Sequence, residues 1–304
     1  MLRHVFGLRA VAQVTRVWLL VLAVCAGGGA LAQAGARQPT QAPGEEVPYV
    51  PTPQNVVEAM LKLAEVRPGD FVIDLGSGDG RIVITAARQF GAEGLGIEYD
   101  ASLVRAATEA AARAGVSERA TFRKQDFFET ELSQATVLTL YLLPEYNLAL
   151  RPRILEELRP GARVVSHDWD MGDWEPDEKV TVPAPEKTLG GTQTSTLYLW
   201  RVPAQVAGNW RARLGAGGEL ELDLEQRFQR VGGTVRYRQV ECPIEAATLV
   251  GDQFALRACE GRNRLALAGK VHRDRIVGTV SRGGAPPTQF RAVRPRESPF
   301  PALR

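Results

Sequence analysis

The sequence predicts an α/β fold, a doubly wound parallel sheet, followed by a smaller all-β domain. Three observations carry this reading. Between residues 51 and 203, short β-branched runs alternate with helical patterns, the signature of a layered α/β unit. From residue 204 the pattern changes to short alternating strands separated by tight turns. Charge reverses at the same point: residues 33–203 hold 17 Lys/Arg against 25 Asp/Glu, and residues 204–304 hold 17 against 10. A chain of 304 residues, 44% hydrophobic, has the size and apolar content for two folded units.

The N-terminus reads as an address. Arg3, Arg9 and Arg16 precede an apolar run from Val17 to Ala26, and Ala30-Leu31-Ala32 follows, the Ala-x-Ala pattern of a signal-peptidase site. Residues 1–32 are therefore expected to be a signal peptide. The apolar run is shorter than the roughly 20 residues a membrane span requires, so no stable span is expected after cleavage. Val24 is too large for the small residue expected before a lipidated Cys25. Residues 33–47, rich in Pro, Gly and Gln, read as a disordered linker. The expected location is outside the cytoplasm, in the periplasm.

In the first domain, residues 48–203, "NVVEAMLKLAEV" places Val56, Val57, Met60, Leu61 and Leu63 at helical spacing, and Pro68-Gly69 ends the helix. "FVIDL" is a short run of the kind buried on both faces of a parallel sheet. Further strands are expected at "GLGIE", "ATFRKQD", "ATVLTLYL", "ARVVSH" and "STLYLWRV", with helices over 101–115 and 145–158.

The first strand runs into Gly76, Gly78 and Gly80, where a bare backbone permits positive φ and close approach to a ligand. A dinucleotide fingerprint would need Gly or Ala three residues after Gly78, and Arg81 stands there, which disfavours NAD. Asp74 ends the first strand, Glu98 the second, and Asp126 follows the third. All three then lie at the carboxyl edge of a parallel sheet, where ligands bind. An ionised carboxylate after the second strand has acceptor oxygens for both ribose hydroxyls.

These motifs, "DLGSGDG", "GIEYD" and "KQDFF", resemble those of the class I, seven-stranded, Rossmann-like S-adenosylmethionine-dependent methyltransferases. "YVPTPQNVVEAML" with "DLGSGDGRIVITAA" is similar to the lysine methyltransferase family that includes the mitochondrial enzymes acting on the ATP-synthase c-subunit and the adenine nucleotide translocase. The resemblance spans residues 48–177. It implies that Asp74, Gly76, Ser77 and Gly78 line the methionine side of S-adenosyl-L-methionine, that Glu98 holds the ribose, and that Asp126 and Phe127 hold the adenine. Pro51-Thr52-Pro53 matches the segment that closes over the cofactor in such families. Thr52 serves equally well as the N-cap of the following helix.

Two further stretches reach the same edge, "YLLPEYN" and "SHDWDMGDW". The first departs from the Asn/Asp-Pro-Pro-Tyr pattern of amide and base methylases. Tyr141 and Pro144 either wall the transfer channel or pack. One His followed by spaced carboxylates, His167 with Asp168, Asp170 and Asp173, is a weak metal pattern. Trp169 and Trp174 among these acids suit a cationic side chain. Asp168 is the nominee for a base on an amine acceptor, because lysine is protonated at neutral pH. The acidic first half favours a cationic small-molecule or protein-lysine acceptor and disfavours nucleic acid.

The second domain, residues 204–304, offers about eight strand signals, including "ELELDLEQRFQRV" with a turn at Gly232-Gly233, and so a closed meander or small sandwich. Gly208-Asn209-Trp210 resembles the Gly-x-Trp opening of lipocalin-like barrels. Cys242 and Cys259 are the only cysteines after the leader and read as a disulfide in an oxidising compartment. A competing reading stays open: a non-catalytic protein of cofactor-binding shape whose β module binds a partner.

Overall fold

The computed structural model describes residues 49–188, 191–214 and 218–295. The expected signal peptide and linker lie outside the described residues. The chain builds a seven-stranded sheet and a closed eight-stranded barrel. In chain order the sheet region comprises α1 (Gln54–Leu63), β1 (Phe71–Leu75), α2 (Arg81–Phe90), β2 (Glu93–Glu98), α3 (Ala101–Arg113), β3 (Ala120–Lys124), β4 (Val137–Leu140), α4 (Pro144–Glu157), β5 (Arg163–His167), β6 (Glu178–Pro183) and β7 (Thr194–Arg201). The strand order is β3-β2-β1-β4-β5-β7-β6. The first five strands are parallel, and β7 runs antiparallel to both β5 and β6.

Alternation along the strands divides the core. Val72, Val137, Val165 and Leu199 face α1 and α2, where Val56, Met60, Ile82 and Ala86 meet them. Ile73, Leu75, Leu138, Leu140 and Val164 face the other way, onto Leu150, Ile154 and Leu155 of α4. Because both faces are covered, these strands read as continuous apolar runs. The strand β6 was not among the sequence expectations. It is a mostly exposed edge ending in Pro183, so it carries little of the apolar signal by which buried strands are recognised.

The barrel is formed by β8 (Gly208–Leu214), β9 (Gly218–Arg227), β10 (Arg230–Tyr237), β11 (Val240–Val250), β12 (Gln253–Ala258), β13 (Leu265–His272), β14 (Arg275–Arg282) and β15 (Thr288–Val293). Pairing of β15 with β8 closes it, and closure removes the sheet edges. Trp210 is fully buried in the barrel core. Its indole N–H donates to the Val206 carbonyl at 2.7 Å, and the Arg294 guanidinium lies 4.5 Å from its ring centroid. Arg294 also donates to the Gln205 and Ala207 carbonyls. This fastens the last strand's end to the segment that enters the barrel.

The turn expected at Gly232-Gly233 is corrected. Both glycines lie inside β10, and the hairpin turns earlier in the chain, at Phe228-Gln229. Gly233 has φ +116, and a Cβ there would collide with the Asp223 carbonyl on β9, so glycine marks a close strand contact rather than a reversal. Cys242 and Cys259 are joined in a disulfide with Cα atoms 5.4 Å apart. Among the described residues no helix is long and apolar enough to cross a membrane.

Candidate active site

The carboxyl ends of β1, β2, β4 and β5 converge on one edge. Gly76, Gly78 and Gly80 all have positive φ, at +75, +54 and +79. The Gly76 and Ser77 amides both donate to the Ile97 carbonyl at 2.9 Å, and Gly78 N–H donates to Glu98 Oε2 at 2.9 Å. The loop is thus tied to the end of β2 through its own amides. Glu98 Oε1 accepts from the Asp100 amide at 2.9 Å. Each oxygen keeps a second lone pair for a hydroxyl. Gly96 on β2 is a residue the sequence reading missed: a Cβ there would meet Phe122 and lie 2.6 Å from Ser77 Oγ.

Asp74 is 2% exposed and accepts from Thr139 Oγ1 at 2.7 Å. Burial pushes its carboxyl up to about 7, with the charges of Glu98 and Asp79 acting in the same direction and the Thr139 hydrogen bond opposing them. A buried acid whose hydrogen-bond partner is a neutral hydroxyl is suited to a cationic ligand, which would offset the cost of its charge. Ser77 Oγ is buried and has no hydrogen-bond partner. Together with the positive-φ turn at Gly76 and Gly78, these groups fit the aminocarboxypropyl end of S-adenosylmethionine. Asp126 Oδ1 accepts from the Phe128 amide at 2.8 Å and caps a short 3-10 turn that holds Phe127. Phe127 sits among Phe128 and Tyr146, with ring centroids 4.7 and 5.6 Å away.

The segment before α1 packs onto the glycine loop. The Tyr49 ring lies directly over Gly78. Arg81 donates to the Thr52 carbonyl at 2.8 Å and pairs with Asp79 at 2.6 Å. Thr52 is 4% exposed and does not cap α1: the N-cap is Pro53, with no side-chain hydrogen bond. The Thr52 hydroxyl instead lies 3.2 Å from His167 Nδ1 at the end of β5.

His167 is fully buried, with Nε2 2.7 Å from Ser195 Oγ and 3.3 Å from Asp168 Oδ2. Burial holds its pKa down to about 4, against the pull of Asp168 and with the help of Lys187. The imidazole is therefore neutral in the physiological range. The carboxylate beside Nε2 favours the proton there, leaving Nδ1 to accept from Thr52. The sequence reading weighed His167 as a metal ligand; its two nitrogens instead join the N-terminal segment, β5 and β7.

Tyr141 stacks on His167 with centroids 3.9 Å apart. Burial, then the Asp168 charge, pushes its phenol up to about 12. Tyr141 is therefore a wall and a hydrogen-bond donor at neutral pH, not a base.

Asp168 adopts φ +63, an uncommon conformation for a non-glycine residue. Two bonds to β7 hold it there: its N–H donates to the Thr196 carbonyl at 2.7 Å, and its Oδ1 accepts from the Thr196 amide at 3.0 Å. Its Oδ2 lies 2.7 Å from Lys187 Nζ, whose side chain is 8% exposed. Nothing in the spacing of the sequence pointed to Lys187, which comes from the β6–β7 connection. Trp169 is 42% exposed at this edge, as an aromatic contact for a cation requires. Trp174 is corrected: it is 1% exposed and packs against Trp200 and Phe228. Asp173 is corrected too, since it pairs with Arg151 and Arg227. Asp170 accepts the Gly172 amide in a local turn.

Comparison with known proteins places this chain in a family. The profile of the ANTKMT methyltransferase domain matches residues 74–178. A protein-lysine N-methyltransferase of Saccharolobus islandicus is 43% identical over 155 residues, covering 51% of this chain and 92% of that protein. The adenine nucleotide translocase lysine N-methyltransferase of Mus musculus is 39% identical, covering 43% of this chain and 57% of that one. Among solved structures, an RNA methyltransferase from Salinibacter ruber in complex with S-adenosyl-L-homocysteine is 52% identical, with coverage of 52% and 96% and a TM-score of 0.47.

Proposed function

The chain belongs to the protein-lysine methyltransferase family, a class I S-adenosylmethionine-dependent group, and on that footing we propose that it methylates the ε-amine of lysine in a basic protein outside the cytoplasm. The cofactor, when bound, supplies an electrophilic methyl group on a sulfonium centre. Asp74, Ser77 and the glycine loop would hold its amino-acid end, Glu98 its ribose, and Asp126 with Phe127 its base.

The remaining work is orientation and desolvation. Thr52, pinned by His167 and Arg81, keeps the N-terminal segment against the site and water out. Tyr141 walls the passage beside His167. Asp168 is the anion of the acceptor side, with exposed Trp169 next to it. Lys187 on Asp168 marks the place where an arriving ammonium would be oriented by the same carboxylate, and that ammonium would release its proton to solvent before the amine attacks the methyl group.

The observation that carries the proposal is the pairing of a cofactor edge with an acidic, aromatic acceptor edge on a half-chain of net −8. That charge speaks against nucleic acid as acceptor. The proposed location rests on the arginine-flanked apolar leader and on the Cys242–Cys259 disulfide, a bond favoured in oxidising compartments.

The test compares methylation of lysine-containing basic peptides by the wild type and by Asp168→Asn across a salt series. The proposal expects acceptor affinity to fall as ionic strength rises, since screening shortens the Debye length from about 10 Å at 0.1 M. Asp168→Asn should weaken both the affinity and its salt dependence. Turnover restricted to neutral or acidic acceptors would refute the lysine reading.

A further inference from the structure

The segment between β5 and β6, residues 168–177, contains no helix, so its inner face needs another cover. The barrel provides it. Phe228, at the tip of the β9–β10 hairpin, is 7% exposed, yet it belongs to the core of the sheet domain rather than to the barrel core. Its ring stacks on Trp174, with centroids 5.9 Å apart and planes at 18°, and the Arg151 guanidinium lies 5.4 Å from its centre. Trp174 in turn accepts, through its carbonyl, the Trp200 indole N–H at 2.8 Å.

Polar contacts surround that stack. Arg151 donates to the Met171 carbonyl at 2.7 Å, and Asp173 bridges Arg151 and Arg227. Gln229 donates to the Glu175 carbonyl at 2.7 Å. The exposed ion pairs contribute little, whereas the buried aromatic stack contributes more. A second contact fixes the barrel's orientation: a Cβ on Gly251, in the β11–β12 turn, would lie 2.8 Å from Gly161 Cα before β5.

The same segment carries the acceptor side. Asn147 of α4, fully buried, donates to Ser166 Oγ and to the Trp169 and Asp170 carbonyls. Asp168 and Trp169 are therefore the leading end of a loop whose trailing end rests on Phe228. We infer that the barrel is a working part of the methyl-acceptor site: Phe228 is a positioning residue that holds the 168–177 loop, so the barrel governs acceptor binding while leaving cofactor binding to the sheet.

This inference rests on the acceptor reading above, and its test separates the two. Hydrogen exchange, S-adenosylmethionine calorimetry and steady-state kinetics on a basic lysine peptide are measured for the full chain and for Phe228→Ala and Phe228→Leu. In Phe228→Ala, amides 169–174 should exchange faster while those of β1 and β2 do not. Acceptor KM should rise roughly ten-fold, with kcat and cofactor Kd within about two-fold. Phe228→Leu, which keeps most of the buried volume, should recover most of the acceptor affinity. Unchanged acceptor KM would overturn the inference. So would a loss of kcat, KM and cofactor affinity together, in step with the unfolded fraction in a melting curve. If the wild type methylates no lysine while the loop still loosens in Phe228→Ala, the lysine reading falls and the hairpin's hold on the loop stands.

Discussion

Replacing Asp74 with Asn should stabilise the ligand-free protein at high pH while weakening its cofactor site. Asp74 is buried, hydrogen-bonded to Thr139, and pushed up from 3.8 to about 7. Between those values the folded state holds a proton that the unfolded state has released, so stability falls as pH rises through the window. At about 1.36 kcal/mol per pKa unit, the full penalty approaches ~4 kcal/mol above pH 7. Roughly 2 to 3 kcal/mol of that accrues between pH 5 and pH 8. Asn cannot ionise, and its amide oxygen still accepts from Thr139. The advantage of Asp74→Asn in thermal melts should therefore be several degrees larger at pH 8 than at pH 5, at about 2 to 4 °C per kcal/mol for a chain of this size. Calorimetry should also find S-adenosylmethionine binding strongly reduced in the variant, and in the wild type weakening as pH falls below about 7, with proton release on binding. A melting difference that does not change with pH, or full cofactor affinity in Asp74→Asn, would refute the reasoning.

Gly78→Val should abolish cofactor binding, because φ is +54 and the new side chain would collide with the Tyr49 ring; isothermal titration checks it. Glu98→Ala should cost cofactor affinity roughly 1.5 to 3 kcal/mol for a lost charged hydrogen bond, and should also free the Gly78 amide, visible as faster exchange there. His167 resists protonation down to about 4, below the ordinary imidazole value. The unfolded chain takes up that proton first, so stability should fall as pH drops from about 6.5 toward 4; the acid limb of a pH–melting profile should flatten in His167→Gln. Cys242 and Cys259 close a 17-residue separation, so reduction should cost the barrel on the order of 2 to 4 kcal/mol, read as a lower melting temperature under reductant.

The sheet was legible because buried parallel strands leave continuous β-branched runs, as in "FVIDL", and because Asp74, Gly76, Gly78 and Glu98 fall at fixed steps along them. The barrel was legible through its alternation, but Gly232-Gly233 misled: glycine marks both turns and crowded strand crossings, and only the Asp223 carbonyl opposite Gly233 distinguishes them. Exposed β6 lacked a burial signal. At the site, the sequence placed Asp168 and Trp169 at the acceptor edge but grouped Trp174 and Asp173 with them, since spacing along an irregular loop does not tell which side chains turn inward. Lys187, Ser195 and Asn147 reach the site only through tertiary contacts with residues 19 to 28 positions away. Phe228 comes from another domain altogether, and no local pattern announces that partnership.

Methylation of lysine by way of S-adenosylmethionine is tested most directly by incubating the purified protein with that cofactor and a basic lysine-containing protein, then mapping the product by tandem mass spectrometry. Methyl increments are expected on lysine ε-amines, falling at limiting cofactor with Glu98→Ala and diminishing with Asp168→Asn. Cofactor binding with methyl groups delivered to RNA, or to protein sites other than lysine, would contradict the assignment.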